Sequence, residues 1–390
     1  MKAVFECINC GKKFSQEEVR YLCPDCDRNL FIKYPLEGVL FAKYDYDEIK
    51  YRNKSEGYSV EQFLPFDKKY LPHFRYGNTP LFRAERLGKK YDLENLFIKN
   101  DSLNPSGSLK DRASYMVVAQ ANVLNENTIV TASTGNAASS LAAICASENK
   151  KAIIYVPEKA PQAKRIQMKL FGADVVEVNG TYDDAFRLSI LHTNEKGGLN
   201  RNTAYNPYTI EGKKTVGLEM FRDMDFEVPD VILIPVGDGV ILSGVYKAFY
   251  DLYECGLTAS IPRLICVQSE KSDAIHRFFS IGRYQNVENP ETVADSISVS
   301  SPSNAYMAVR ALKATGGSSV TVSDEEIMNA QKVLAENSGI YAEPSSSSII
   351  AALPELYDKN LIDKKEKIVL LITGNGLKDT EATKNFLIQN

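Results

Sequence analysis

Apolar positions in this chain are grouped in two recurring ways. Short runs dominated by β-branched residues end at Pro, Gly or a polar cluster, and longer amphipathic stretches separate them. AIIYVP (152–157) is such a run, closed by proline. KAPQAKRIQMKLFG (159–172) follows with helical spacing and a glycine stop, and DVVEVNG (174–180) returns to strand character. DVILIPVGDG (230–239), RLICVQSE (263–270) and EKIVLLITGNG (366–376) are almost continuously apolar before they enter polar or glycine-containing loops. Strands buried on both faces have this composition, because helices cover both sides of a parallel sheet. The pattern predicts an α/β protein whose ligand loops lie at the carboxyl ends of the strands. Residues 36 to about 74 are instead rich in Tyr and charge, and PSSSS (344–348) is a serine cluster that could cap a helix as readily as touch a ligand.

Composition narrows the function classes. A 390-residue chain with 44% hydrophobic and 25% charged residues has enough apolar content for two or three packed domains, which excludes a disordered chain. Lys and Arg number 46 against 50 Asp and Glu, so no basic excess points to nucleic acid. No apolar run approaches the ~20 residues that span a bilayer, and the opening MKAVFECINCGKKF lacks a signal-peptide core, so a cytoplasmic, membrane-free protein acting on a small molecule is expected. With only three histidines, a general base of another type is expected.

Four of the seven cysteines fall in the first 26 residues. Cys7 and Cys10, then Cys23 and Cys26, form two CxxC pairs separated by twelve residues. Two such pairs converge naturally on one tetrahedral ion, and Gly11 and Pro24 supply the turns. A zinc ribbon is predicted, with disulfides as the alternative suited to a secreted protein. Four thiolates leave no open coordination position, so the zinc is expected to be structural and to supply much of the folding free energy of a short segment. Cys145, Cys255 and Cys266 stand in apolar surroundings as core residues.

Four segments carry candidate chemistry. NPSGSLKDR (104–112) places Lys110 at a helix start, where the positive end of the dipole disfavours ammonium and a neutral amine can form a Schiff base. STGN (133–136) opens a helix whose free N–H groups suit a carboxylate. PVGDGVILSG (235–244) is a strand-glycine-helix turn able to cradle phosphate, provided Asp238 points away. TGNGLKD (373–379) offers the Thr373 hydroxyl at the end of the last apolar run, for a ring nitrogen or simply for the turn.

These segments, with GNTPLFRAERLG (77–88), GADVVEVNGTYDDA (172–185), NPYTIEGKKT (206–215) and EEIMNAQKVLAENSGIYAEPSSS (325–347), resemble in content and order the fold type II pyridoxal-phosphate enzymes, most closely the threonine synthases. The resemblance runs from about residue 75 to the end, and some members carry a similar N-terminal ribbon. It implies two three-layer αβα domains of the tryptophan synthase beta-like kind. Their expected extents are 1–35 for the ribbon, 36–115 with 205–390 for a large cofactor-binding domain, and 116–204 for a small substrate-side domain. It further implies that Lys110 holds pyridoxal 5'-phosphate and shuttles protons. Asn136 would contact the ring hydroxyl, and Ser133, Thr134 and Gly135 would bind the substrate carboxylate. Gly237, Asp238, Gly239, Val240 and Ile241 would wrap the cofactor phosphate, Glu343 would line the ring, and Thr373 would face the pyridine nitrogen. A neutral hydroxyl there leaves the ring unprotonated, which favours elimination and replacement over transamination. A homodimer is usual for the resembled family.

The departures bear on the substrate. Ala137 follows STGN where threonine synthases commonly have Thr, Thr209 stands where their NPxR segment has an arginine for the phosphate of O-phosphohomoserine, and Ala204 replaces a Ser. Losing that arginine removes the strongest donor to a dianion. Lys213 or Lys214 could compensate, or could be surface or structural residues. GDGVILSG and TVADSISV (292–299) are similar to serine/threonine dehydratases. The expected function is therefore phosphate elimination from O-phosphohomoserine with water addition to give threonine. The alternative is β-elimination or β-replacement on a serine-, threonine- or diaminopropionate-like amino acid. A third reading makes the ribbon a binding module on an enzyme fold turned regulatory, against which the intact Lys110 stands.

Overall fold

The computed structural model describes residues 3–27, 35–133, 135–158 and 162–389. Among them the strands run, in chain order, β1 (Val4–Cys7), β2 (Lys13–Ser15), β3 (Leu40–Lys43), β4 (Leu81–Arg83), β5 (Asn95–Asn100), β6 (Thr128–Ala132), β7 (Lys151–Pro157), β8 (Asp174–Val178), β9 (Leu199–Asn200), β10 (Val231–Pro235), β11 (Arg263–Ser269), β12 (Ser318–Val322) and β13 (Lys367–Ile372). They form three sheets, in the orders β2-β1-β3, β8-β7-β6-β9 and β12-β11-β10-β13-β5-β4. The chain divides into two compact units, Met1–Gly77 with Asn104–Thr215, and Asn78–Leu103 with Val216–Asn390.

The first unit holds the two smaller sheets. Antiparallel β1 and β2 make a hairpin, and β3, which lies beyond residue 35, pairs with β1 as the third strand. The four-stranded sheet is parallel, with β6 between β7 and β9 and β8 at one edge. Each crossover is a helix: Asn136–Ser147 joins β6 to β7, Gln162–Leu170 joins β7 to β8, and Tyr182–Lys196 joins β8 to β9. The last begins with a capping box in which Thr181 accepts from the Asp184 N–H and Asp184 reaches back, satisfying two of the free amides at the helix start. Of the helical stretch expected over 159–172, residues 159–161 lie outside the described residues. The Tyr- and charge-rich stretch forms the helix Tyr46–Glu56 and two short 3-10 turns. It is fastened to the rest of its unit by Tyr115 donating to the Pro72 carbonyl at 3.0 Å and Asn122 to that of Tyr70 at 2.9 Å.

In the second unit β12, β11, β10, β13 and β5 are mutually parallel and β4 pairs antiparallel at the edge. The central strands are apolar at nearly every position, and all five residues of β10 are buried. Leu233, Ile265, Ile368 and Leu370 pack with Ile349, Ile350 and Leu334 from covering helices. Burying each such side chain stabilises the fold by about 2 kcal/mol before chain entropy is counted. Covered on both faces, the sheet leaves its strand ends as the accessible polar features. The helix Val240–Glu254 follows β10 after one tight turn, and Pro344–Ala351 leads toward β13. The layered α/β organisation expected from the apolar runs is present in both units.

Candidate active site

In the first unit the segment 104–112 folds back on itself. Gly107 sits at φ +80° and donates to the Asn104 carbonyl at 2.7 Å, a turn that only glycine makes without strain. The Asp111 carboxylate accepts from the Ser106 N–H at 2.8 Å and also from its hydroxyl, which staples the turn to the helix. Lys110 is the first residue of that helix, Lys110–Val123, as the sequence predicts. Ser114, one turn on and on the same face, accepts from the Ser140 hydroxyl at 2.9 Å, and Ser140 stands one turn beyond Asn136. The helices that begin at Lys110 and Asn136 are thus joined one turn below their first residues.

The 133–136 turn ends β6. Ser133 and Asn136 are buried, the Gly135 N–H donates to Ser133 Oγ at 3.1 Å, and Asn136 opens the helix Asn136–Ser147. Thr134 lies outside the described residues. A Cβ on Gly135 would come within 2.8 Å of Lys164 Cδ, so the buried Lys164 stem lies against this turn. Sequence pattern could not mark Lys164, because it reads as one more basic residue on an amphipathic helix. Asn202 was equally hidden. Its Oδ1 accepts from the Ala132 N–H at 2.8 Å and from the Thr131 hydroxyl at 3.2 Å, holding the strand end from which the turn springs.

Two of the three departures noted above, Ala204 and Thr209, are bonded to each other in the 204–215 segment. Thr209 is fully buried, donates to the Asn206 carbonyl at 2.7 Å and accepts from the Ala204 N–H at 3.2 Å. Ala204 has φ +66°, a left-handed conformation that costs a Cβ-bearing residue roughly 1–2 kcal/mol and that this bond helps to hold. Lys213 and Lys214 are buried, which removes the surface role. Lys214 pairs with Glu211 at 2.6 Å and lies 4.2 Å from the Tyr44 ring centroid, while the Tyr44 hydroxyl donates to Glu211. Lys214 is therefore spent on structure.

In the second unit the turn after β10 fits a phosphate. A Cβ on Gly237 would lie 3.0 Å from Ile297 Cα, and one on Gly239, at φ +86°, 2.8 Å from Ala308 Cβ. A side chain at Gly239 would force the turn to move, and one at Gly237 would need Ile297 to give by a few tenths of an ångström. Val240 and Ile241 begin a 15-residue helix, whose first amides have no intrahelical acceptor and sit at the positive end of the dipole. The Asp238 carboxylate accepts from the Ser303 N–H and hydroxyl, both at 3.3 Å, so it is turned away as the phosphate-cradle expectation required. At the end of β13 the Thr373 hydroxyl shares a 3.0 Å hydrogen bond with that of Ser346, which also accepts from the Thr373 and Gly374 N–H groups at 3.1 and 3.0 Å. One member of the serine cluster thereby shapes this turn, a role the sequence left open. Buried Glu343 immediately precedes the helix Pro344–Ala351, its carboxylate accepts from the Ser296 hydroxyl at 3.1 Å, and it lies so close to Gly374 that a Cβ there would meet its Oε2 at 2.1 Å.

The four N-terminal cysteines converge. Their sulfurs all lie within 4.8 Å of one another, with Cys7–Cys26 and Cys10–Cys23 each at 3.7 Å. A tetrahedral thiolate site with metal–sulfur bonds of about 2.3 Å requires sulfurs about 3.8 Å apart, so the set fits zinc. The knuckles form as expected: Gly11 at φ +73° donates to the Cys7 carbonyl, and the Cys26 and Asp27 N–H groups donate to that of Cys23. Cys145 and Cys266 are buried, and burial pushes the Cys145 thiol up to about 12 and that of Cys266 further.

In the first unit Lys110 opens one helix and the 133–136 turn opens another, and in the second unit a glycine turn opens a third. The chain belongs to the pyridoxal-phosphate dependent enzyme family, whose pattern matches residues 73–374. Within it, the chain is 36% identical to the threonine synthase of Methanocaldococcus jannaschii, covering 96% of this chain and 93% of that protein. The threonine synthase of Methanosarcina acetivorans is also 36% identical, over 96% of this chain and 92% of its own. Among solved structures, the processed form of threonine deaminase isoform 2 from Solanum lycopersicum is similar with a TM-score of 0.68 and 25% identity, covering 79% of this chain and 88% of that one. Among the described residues no helix is long and apolar enough to cross a membrane.

Proposed function

We propose that the chain is a carbon–oxygen lyase that eliminates phosphate from O-phosphohomoserine and adds water to give L-threonine. The observation that carries this is the 36% identity to a threonine synthase over nearly the whole of both chains. The cofactor, when bound, supplies an electron sink for charge that develops as protons leave the substrate carbons. Lys110 holds it covalently through its amine and is the group that moves protons. Between substrate and product the Cγ–O bond to phosphate is replaced by Cγ–H and one Cβ–H by Cβ–OH, so a proton leaves Cβ and one arrives at Cγ, and a proton lost from Cα on the way must return there. One amine alongside these carbons serves each transfer. Ser133, Thr134 and Gly135 receive the substrate carboxylate at the helix start, and Asn136 meets the ring hydroxyl. Residues 237–241 receive the cofactor phosphate, Glu343 lines the ring, and Thr373 presents its hydroxyl to the pyridine nitrogen. In this reading 36–115 with 205–390 carry the cofactor and 116–204 the substrate side. The cysteine cluster binds a structural zinc through Cys7, Cys10, Cys23 and Cys26. A cytoplasmic homodimer completes the proposal.

Purified holoenzyme incubated with O-phosphohomoserine should release phosphate and L-threonine in equal amounts, and Lys110→Ala should lose both together with the cofactor absorbance near the visible edge. No release from the wild type would sink the assignment. A second reading, β-elimination on L-threonine or L-serine, is favoured by the commitment of Thr209 to the backbone. It would show itself as ammonia and a 2-oxo acid formed from either amino acid.

A further inference from the structure

The N-terminal cysteine segment is bonded to the strand that neighbours the carboxylate turn. Tyr21 lies between the two CxxC pairs, and its hydroxyl accepts from the Asn200 N–H at 2.8 Å. Its ring stacks on Tyr205, with centroids 4.4 Å apart and planes 21° from parallel. Asn200 Oδ1 accepts from the Asn202 N–H at 2.8 Å, and Asn202 Oδ1 accepts from the N–H of Ala132, the residue before Ser133, also at 2.8 Å. A continuous path of three hydrogen bonds thus runs from Tyr21 to the foot of the 133–135 turn, all inside the first unit. Phe5 in β1 adds an edge contact to Tyr208, with centroids 5.5 Å apart. The pairing of β9 with β6 (Ile129↔Leu199, Val130↔Asn200) brings residues 201–205 out at the same carboxyl edge as the turn.

We propose that the ribbon positions the substrate carboxylate turn, that Tyr21 is the positioning residue through which it acts, and that zinc and an amino-acid carboxylate therefore bind cooperatively. The proposal rests on the assignment of residues 133–135 as the carboxylate site. The physical reason is local. Tyr21 hangs from a segment whose fold depends on the metal, because a segment this short cannot bury a sufficient core of its own. Without zinc the Tyr21 hydroxyl and ring lose their fixed place and the Asn200 N–H loses its acceptor, which leaves Asn200 and Asn202 positioned by their bonds to Ser189 and Asn206 and lets the end of β6 shift. A turn whose amides are no longer pre-aligned binds its anion less tightly, and linkage makes the effect equal in both directions.

The test uses the full-length holoenzyme and L-threonine, which is the product in one functional reading and a substrate in the other. Zinc affinity is measured by competition with a chromogenic chelator, with and without saturating L-threonine, and L-threonine affinity by the absorbance change of the bound cofactor, with and without zinc. Zinc should bind about five- to tenfold more tightly with L-threonine present, and removing zinc should weaken L-threonine by the same factor, a coupling of ordinary size. Tyr21→Phe keeps the ring stack and the zinc stoichiometry but loses the hydroxyl, and should shrink both ratios toward one. In turnover it should raise KM with kcat changed less than twofold. This variant retains metal, so it answers the question even where zinc-free protein unfolds. Zinc affinity indifferent to bound L-threonine overturns the coupling alone, whereas failure of L-threonine and L-serine to bind the wild type overturns the carboxylate assignment as well.

Discussion

Thr209 donates to the carbonyl of Asn206 and accepts from the N–H of Ala204, whose backbone is held at φ +66°. Thr209→Ser keeps these bonds and should cost only the buried methyl, about 1 kcal/mol or less. Thr209→Val leaves the Ala204 N–H buried without that acceptor and should cost about 1–3 kcal/mol, read as a lower urea midpoint. If Thr209 instead touched substrate, Thr209→Val would raise KM without moving the midpoint. The same scale governs the thiols. Burial holds the Cys145 thiol, at about 12, and that of Cys266 far above the working pH, so both stay protonated and unreactive. Because the short N-terminal segment loses its fold with its metal, a disulfide-exchange reagent added to zinc-stripped protein should label its four cysteines quickly and leave the buried Cys145, Cys255 and Cys266 until denaturant is added. Fast labelling of these three would contradict their burial.

The turn between β10 and the helix Val240–Glu254 is held as an element, by two glycines packed against Ile297 and Ala308 and by an acidic side chain tied to Ser303; the phosphate role proposed for it rests on that shape. Gly239→Ala would place a Cβ 2.8 Å from Ala308 Cβ at a backbone angle that L residues rarely adopt, so the turn must move. Cofactor affinity should fall about tenfold or more, the factor that corresponds to the strain of a left-handed alanine. Titrating apoenzyme with the cofactor and following its absorbance measures this directly. An unchanged affinity would mean that the phosphate is held elsewhere. Gly237→Ala, which meets Ile297 Cα at 3.0 Å with no positive φ, should be the milder of the two.

For the whole molecule, the apolar runs at 152–157, 230–239, 263–270 and 366–376 became β7, β10, β11 and β13 with their ends nearly where the pattern put them. Continuous burial on both faces leaves a composition that a sequence displays openly. Lys110 at a helix start, the 133–136 and 235–244 turns and the CxxC pairs were equally legible, because turns, caps and metal knuckles are made by residues adjacent along the chain. What Asp238, Ser346, Lys164 and Asn202 do was not legible, since each takes its meaning from a partner between 27 and 70 positions away. The sequence left Lys213 and Lys214 open between substrate, surface and structural roles, and both are buried, because a charge pattern along the chain does not show which charges find a counter-charge inside. The cysteine segment looked like an appendage for the same reason: its ligands are local, but its bonds through Tyr21 reach residue 200. Local chemistry, then, is written in short stretches of this chain. Which local pieces support one another depends on non-local packing, and there the three-dimensional arrangement alone assigned Thr209 to the backbone and joined the ribbon to the strand beside the carboxylate turn.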